Sequence, residues 1–191
     1  MTSVATVRPR RTPPLVFGMV LFLASELMLF GSLFAAYFFL RATTAVWPPE
    51  GAEVEMVSPS VATVILAASS FTLLFAVRAL ERANSSRFRA LVWWTLALGA
   101  AFLAIKAYEL SAAPFGIGSH AYGSIWFTML SAHALHLLAG MVLLLVMLSR
   151  AAPPSSEIRP TGHQTAEAVG YYWHFVDVVW LAIFTTLFIV R

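Results

Sequence analysis

Five long apolar stretches, separated by short polar connectors, dominate the pattern along this chain of 191 residues. They cover about 15–40, 61–80, 91–110, 125–148 and 171–190, and each is long enough for a helix to cross the roughly 30 Å hydrocarbon core of a bilayer. The pattern therefore predicts an all-α, polytopic membrane protein, built as a bundle of five transmembrane helices. We expect a short N-terminal segment, 1–14, followed by a single membrane domain, 15–191.

The composition fits this prediction, since 60% of the residues are hydrophobic and 11% are charged, with a mean hydropathy of +0.80. These values are incompatible with an ordinary soluble domain. A formal net charge of +3 would suggest nucleic acid in a soluble protein, but the arginines here lie in short connectors. We therefore expect no nucleic-acid partner. The chain has no cysteine, which excludes disulfides and thiolate metal sites.

Basic residues are distributed unevenly between the two ends of the predicted helices. The N-terminal segment and the second and fourth connectors, which lie on one side, hold nine arginines: Arg8, Arg10, Arg11, Arg78, Arg82, Arg87, Arg89, Arg150 and Arg159. The other side holds Arg41, Lys106 and Arg191. Because basic residues concentrate in cytoplasmic loops, we predict a cytoplasmic N-terminus and a C-terminus on the outer side.

An acidic residue, Glu26, lies within the first apolar stretch, in the sequence VLFLASELMLFG. Its position is about 11 residues from the predicted inner end, close to the middle of the bilayer. An ionised and unpaired carboxylate is costly there, so Glu26 should be protonated, hydrogen-bonded to another helix or in contact with an internal water. A role in a proton path or an interface and a role as a neutral packing anchor both stay open.

Two histidines in the fourth stretch, His133 and His136, lie about one helical turn apart, and Gly140 follows on the same face. Two histidines on one helix cannot be the opposite axial ligands of a single haem. A zinc or di-iron site would need carboxylates from other helices, such as Glu26 or Asp177. We expect hydrogen-bonded histidines here and no bound metal.

The fifth stretch, together with the segment just before it, carries a polar face, because His163, Glu167, Gly170, His174 and Asp177 follow one another in steps of three or four residues. This face should pack on other helices of the bundle or of a partner. Packing is favoured over proton conduction, since the rest of the stretch offers only two threonines and no continuous titratable relay.

Lys106 and Glu109, three residues apart near the outer end of the third stretch, suggest a snorkelling or ion-paired rim.

The chain resembles subunit III of the haem-copper cytochrome c oxidases over nearly its whole length. The matching features are Ser25-Glu26, Trp47-Pro48-Pro49, Tyr108-Glu109, Ala121-Tyr122-Gly123-Ser124, the His133 and His136 pair, Glu167 and the run YYWHFVDVVW at 171–180. The last of these is the most specific. The chain is similar to the short five-helix form of the family, which lacks the first two helices of the longer members.

The resemblance implies a non-redox accessory subunit with no catalytic residue. Such a chain packs against subunit I of a proton-pumping oxidase that passes electrons from cytochrome c to oxygen, and it supports proton uptake and sustained turnover. Glu26 would be the buried carboxyl of the family, and five residues would form internal polar contacts: His133, His136, Glu167, His174 and Asp177.

The resemblance also implies a location and a set of partners. The chain would lie in the inner (plasma) membrane of a bacterium, beside subunit I, subunit II and other respiratory subunits. Haem and copper would belong to those partners, and bound phospholipid would lie against an exposed groove or a neighbouring subunit.

Three other functions stay open from the sequence. A subunit III-like chain can accompany a nitric oxide reductase instead of an oxidase. A haem b membrane anchor would use His136 and His174 from separate helices. An independent proton or ion channel is disfavoured by the interrupted polar relay.

Overall fold

The computed structural model describes residues 13–52, 55–151 and 160–190. These residues form five α-helices: α1 (Pro14–Thr43), α2 (Val57–Glu81), α3 (Ser85–Ala112), α4 (Ala121–Ala151) and α5 (Pro160–Phe184), with a π-helical turn at Thr185–Val190 that continues α5. All five helices are long and apolar enough to cross a membrane, and the described residues contain no strand. The predicted all-α, five-helix membrane fold is confirmed, whereas the orientation of its ends stays a prediction.

The observed helices extend beyond the five predicted stretches, each of which lies within one helix or its π-helical continuation. Much of the connector expected after the second stretch is helical, because the side chain of Asn84 accepts a hydrogen bond from the backbone N–H of Arg87 at 3.0 Å. This cap starts α3 at Ser85. Hydropathy marks only the part of a helix that lies in hydrocarbon, so it underestimates helices that continue into the polar membrane surface.

The fifth helix lies at the centre of the bundle, where it packs against α1, α2 and α4. The second and third helices form an antiparallel pair, and α3 also contacts α4. Of the 18 most apolar consecutive residues in the helix 162–190, 50% are buried, compared with 11% in α1. The first helix packs on α5 and α4 only along one side. The first helix therefore presents most of its surface to its surroundings.

Trp173 of α5 fills the space left by two glycines on neighbouring helices. A Cβ added at Gly99 of α3 would lie 3.0 Å from the indole, and one added at Gly140 of α4 would lie 3.1 Å from it. The indole N–H of this fully buried side chain donates to the hydroxyl of Ser69 at 3.1 Å. The two glycines thus allow three helices to meet around one tryptophan.

The end of α1 is tied to the π-helical turn. The hydroxyl of Tyr37 donates to the carbonyl of Thr186 at 3.1 Å, and the indole N–H of Trp47 donates to that hydroxyl at 3.2 Å. A cis peptide bond joins Trp47 and Pro48. The connector after α1 is therefore held against the last turn of the bundle.

Candidate functional site

Glu26 of α1 and His136 of α4 form a pair at the contact between these two helices. Glu26 Oε2 and His136 Nε2 are 2.7 Å apart, and the other ring nitrogen, Nδ1, lies 2.7 Å from the carbonyl oxygen of Ala132. A carbonyl can only accept, so Nδ1 carries a hydrogen. The contact with Glu26 then contains one proton, either on the carboxyl group with a neutral ring or on Nε2 beside a carboxylate.

Both protonation states of this pair have zero net charge, which lowers the cost of placing it in an apolar bundle. The two side chains keep 15% (Glu26) and 18% (His136) of their surface exposed. Phe30 packs its ring edge-on against His136 at 4.9 Å, and the Tyr172 hydroxyl donates to the His136 carbonyl at 2.9 Å. The pair is therefore fixed in place, and a shift of one proton along the contact converts one state into the other.

His133 lies one turn away from His136 but contacts a different helix. Its Nε2 donates to the carbonyl of Val176 on α5 at 3.3 Å, and the side chain is almost completely buried. The ring packs between Phe102 at 5.6 Å and Trp180 at 5.1 Å. The two histidines of α4 thus point to different neighbours and do not form a common site.

Ser70 of α2 joins the two polar residues at the middle of α5. Its hydroxyl lies 2.9 Å from His174 Nδ1 and donates to Asp177 Oδ2. His174 and Asp177 themselves are 3.8 Å apart, and their side chains are 44% and 13% exposed. The second carboxylate oxygen, Asp177 Oδ1, is buried and has no hydrogen-bond partner in the part of the chain that the structure describes.

Lys106 and Glu109 of α3 form a buried ion pair with a separation of 2.7 Å. Ser58 of α2 donates to the other carboxylate oxygen at 2.6 Å. The Lys106 ammonium lies over the rings of Trp180, Phe102 and Phe188, at 4.2, 5.4 and 5.8 Å from their centroids.

Of the two alternatives expected at this position, the ion pair is present, whereas the Lys106 side chain does not snorkel, because it is only 3% exposed. Aromatic rings from α3, α5 and the π-helical turn cover the lysine, so its charge is balanced inside the bundle and not by water.

Glu167 lies apart from these clusters, on an exposed part of α5. The hydroxyl of Tyr171 donates to its carboxylate at 3.3 Å. His163, which shares the predicted polar face, is also exposed. The structure brings His174 and Asp177 of that face against α2, but it leaves the side chains of His163 and Glu167 at the surface.

The hydroxyl groups of α2 were missed by the sequence interpretation. Ser58, Ser69 and Ser70 contact Glu109, Trp173 and the pair of His174 and Asp177, respectively. Thr63 accepts from the Trp180 indole at 2.9 Å. The only signal in the sequence is the recurrence of small hydroxyl residues in an apolar helix, and it does not reveal which helix they contact.

No three His, Cys, Asp or Glu side chains converge as metal ligands within residues 13–52, 55–151 and 160–190. His136 and His174, considered above as haem ligands, lie at different helix contacts, α1–α4 and α2–α5. Protein groups occupy both ring nitrogens of His136 and Nδ1 of His174.

Comparison with known proteins gives a consistent result. A family model described as cytochrome c oxidase subunit III matches residues 8–190. Cytochrome c oxidase subunit 3 of Thermostichus vulcanus is 38% identical over 176 residues, which cover 91% of this chain and 86% of that protein. A probable cytochrome c oxidase subunit 3 of Nocardia farcinica is also 38% identical, over 178 residues that cover 91% and 87% of the two chains. Cytochrome c oxidase subunit 3 of a Synechocystis species is 35% identical, over 175 residues that cover 91% of this chain and 75% of that protein.

Proposed function

Because the chain belongs to the cytochrome c oxidase subunit III family, we propose that it is a non-redox accessory subunit that stabilises subunit I of a proton-pumping terminal oxidase and supports its proton uptake. Membership of the family makes it one subunit of an oxidase complex, and its five helices make it a multi-pass membrane protein. In this proposal the membrane is the bacterial inner membrane. Subunit I is the main partner, with subunit II, other respiratory subunits and phospholipid nearby. Haem and copper belong to the partner subunits and supply the oxygen chemistry.

The pair of Glu26 and His136 is the observation that supports a role in proton uptake. It holds one proton across a 2.7 Å contact, near the middle of α1 and α4. It also lies on α1, the helix whose surface is least covered by the rest of the chain. A carboxyl–imidazole pair at such a place can accept or release a proton beside a neighbouring subunit without a large change in structure.

Replacement of Glu26 by glutamine tests this proposal in the intact oxidase. The amide keeps a hydrogen-bond donor for His136 Nε2, so we expect the complex to assemble normally. The amide cannot exchange a proton, so sustained turnover or proton uptake should change. Glu50→Gln, a matched change at an exposed position of the connector after α1, is the control and should leave both unchanged. Wild-type turnover and proton uptake in the Glu26→Gln complex would remove the functional role of this carboxyl.

Mild extraction and identification of the bound proteins separates the remaining functions. A co-purified subunit I with haem and copper supports the oxidase, whereas a partner with non-haem iron indicates a nitric oxide reductase. Haem absorption from the isolated chain would indicate a haem b anchor, and ion flux in vesicles that contain this chain alone would indicate a channel.

A further inference from the structure

A basic cavity lies at the end of the bundle where α2 finishes and α3 begins. It has a volume of about 370 Å³, and it is lined by three arginines and their neighbours: Phe75, Arg78, Ala79, Arg82, Asn84 and Arg87. The arginines are exposed, and none of the described residues that line the cavity is acidic. Three positive charges therefore surround a space large enough for a small ligand.

A tight turn brings these residues together. Residues 82–84 alone connect α2 to α3, and Ala83 adopts the left-handed backbone conformation, with a φ of 55°. Asn84 then caps α3, since its side-chain oxygen accepts from the backbone N–H of Arg87 at 3.0 Å. The NH2 group of the same amide remains as a donor. The cavity thus has N–H donors from four side chains, three of them charged.

The charge of the three arginines is not balanced within the part of the chain that the structure describes. None of them forms an ion pair there. Glu81, which precedes the turn, does not line the cavity. The guanidinium of Arg78 lies over the ring of Phe75 at 5.7 Å from its centroid, a contact that orients the group without neutralising it. An anion from outside the chain can therefore contact all three side chains.

The position of Arg87 is unfavourable for the helix that carries it. Arg78 lies in the last turn of α2 and Arg82 is its C-cap, where a cation stabilises the helix. Arg87 lies in the first turn of α3, at the positive end of the helix dipole, and no acidic residue offsets it in that turn. A general preference for basic residues at this membrane surface is met equally by Arg89, which does not line the cavity.

We propose that this cavity binds a phosphate group, carried by a lipid headgroup or by a soluble phosphate compound. The planar guanidinium group can donate to two phosphate oxygens at once, which makes arginine clusters well suited to phosphate. Phe75, 46% exposed and one turn before Arg78, lies where the apolar part of α2 ends. The cavity is therefore within reach of both membrane and water. None of these contacts involves a partner subunit, so the chain alone should bind phosphate.

Binding of inorganic pyrophosphate to the purified full chain in a neutral detergent tests the soluble source. Equilibrium dialysis with radiolabelled pyrophosphate gives the dissociation constants of the wild-type, R87Q and R89Q chains. The two variants lose the same charge from the same turn of the structure, but only Arg87 lines the cavity. We expect R87Q to weaken binding at least about 10-fold, and R89Q to weaken it less than about 2-fold.

Retention of an anionic lipid tests the membrane source. The delipidated chain is mixed with dioleoyl phosphatidylglycerol, or with dioleoyl phosphatidylcholine as a control whose phosphate is balanced by its own cation. Native mass spectrometry then counts the lipids bound to each chain. If a headgroup occupies the cavity, wild type and R89Q should retain one more phosphatidylglycerol than R87Q, with no such difference for phosphatidylcholine.

The outcomes identify the source or overturn the proposal. A loss in R87Q for pyrophosphate alone indicates a soluble ligand, and a loss for phosphatidylglycerol alone indicates a headgroup. A loss for both indicates a headgroup site that soluble phosphate can enter. No binding of either probe contradicts a phosphate site, and so does equal weakening in R87Q and R89Q, because a diffuse basic surface responds only to net charge.

A second lining position guards against a local effect of the R87Q change on the start of α3. Arg82 lies in the turn, outside both helices, and it also lines the cavity. R82Q should therefore reproduce the weakening seen in R87Q, at an unchanged thermal unfolding temperature. Wild-type affinity in R82Q would overturn the shared site. Both probes are tested on the chain alone, so these results do not depend on how the chain supports an oxidase.

Discussion

At the scale of single residues, the charge of Lys106 is balanced entirely by the protein. One carboxylate oxygen of Glu109 accepts from the ammonium group, and the other accepts from Ser58. The ring of Trp180 covers the ammonium at 4.2 Å, and the same indole bonds Thr63. The ion pair therefore links α3 to both α2 and α5. Its loss should lower the free energy of unfolding of the whole bundle.

Replacement of Lys106 by methionine leaves the Glu109 carboxylate buried without a cation. We expect the free energy of unfolding in detergent to fall by about 3–5 kcal/mol, because one half of a buried pair remains uncompensated. The double change Lys106→Met with Glu109→Leu should recover most of this loss, since both charges are removed. Arg87→Met, at an exposed position, should change the value by less than about 0.5 kcal/mol. If the double variant is as unstable as Lys106→Met, the uncompensated carboxylate of Glu109 is not the cause of the lost stability.

The charged residues and histidines of the candidate site could be located from the sequence, but the hydroxyl groups of α2 and most of the pairings between helices could not. A single acidic residue such as Glu26 in an apolar stretch is costly to place in hydrocarbon, so the sequence indicates that it needs a partner. The three-residue spacing alone pairs Lys106 with Glu109. The partner of Glu26 is 110 positions away, and that of Asp177 is 107 positions away. Such contacts depend on which helices meet, and an apolar pattern does not specify this.

At the scale of helices, the contact of α4 with α5 depends on a residue without a side chain. A Cβ at Gly140 would meet the ring of Trp173 and the ring of Tyr172, both at 3.1 Å, and both rings are buried. Gly170 of α5 differs from it, since an added Cβ there meets nothing within 4 Å. The two glycines therefore form a matched pair for testing how closely the helices approach.

Alanine at each of these glycines gives a direct comparison. We expect the free energy of unfolding of Gly140→Ala to lie about 1–3 kcal/mol below that of Gly170→Ala, since only the first change forces buried aromatic rings apart. Both variants gain the same helical preference of alanine over glycine, so their difference isolates packing. Thermal or denaturant unfolding in one detergent provides the measurement, and equal stabilities would mean that the rings move aside without cost.

The helices themselves were predicted well because length and hydropathy decide whether a segment crosses a membrane. Their ends were predicted less well. The start of α5 at Pro160 instead of near 171 reflects polar turns that the apolar pattern does not include. The order of packing around α5 was not predictable from this pattern, because it depends on shapes such as Trp173 against Gly99 and Gly140.

At the scale of the whole molecule, the distribution of arginines predicts how the bundle crosses the membrane. Arg78, Arg82, Arg87, Arg89 and Arg150 lie at the end of the bundle where α2 and α4 finish and α3 begins. The predicted contributions of Arg8, Arg10, Arg11, Arg159 and Arg191 fall outside the described residues. The described part alone therefore keeps a strong excess of basic residues at one end.

Reporter fusions test this orientation. An enzyme that is active only outside the cytoplasm should be active when fused after α3 or α5, and inactive when fused after α2 or α4. A fluorescent protein that matures only in the cytoplasm should give the reverse pattern at the same four positions. The opposite result at all four would invert the orientation, with no change to the fold.

The first helix is synthesised first, but it packs against the last two helices, so it cannot reach its final position until α4 and α5 have been made. During translation, α1 enters the membrane before α4 and α5 exist. In that interval Glu26 has no His136, and Tyr37 has no Thr186. We expect the insertion machinery to retain α1 until the ribosome delivers α4, so that its acidic side chain is not released alone among the lipids.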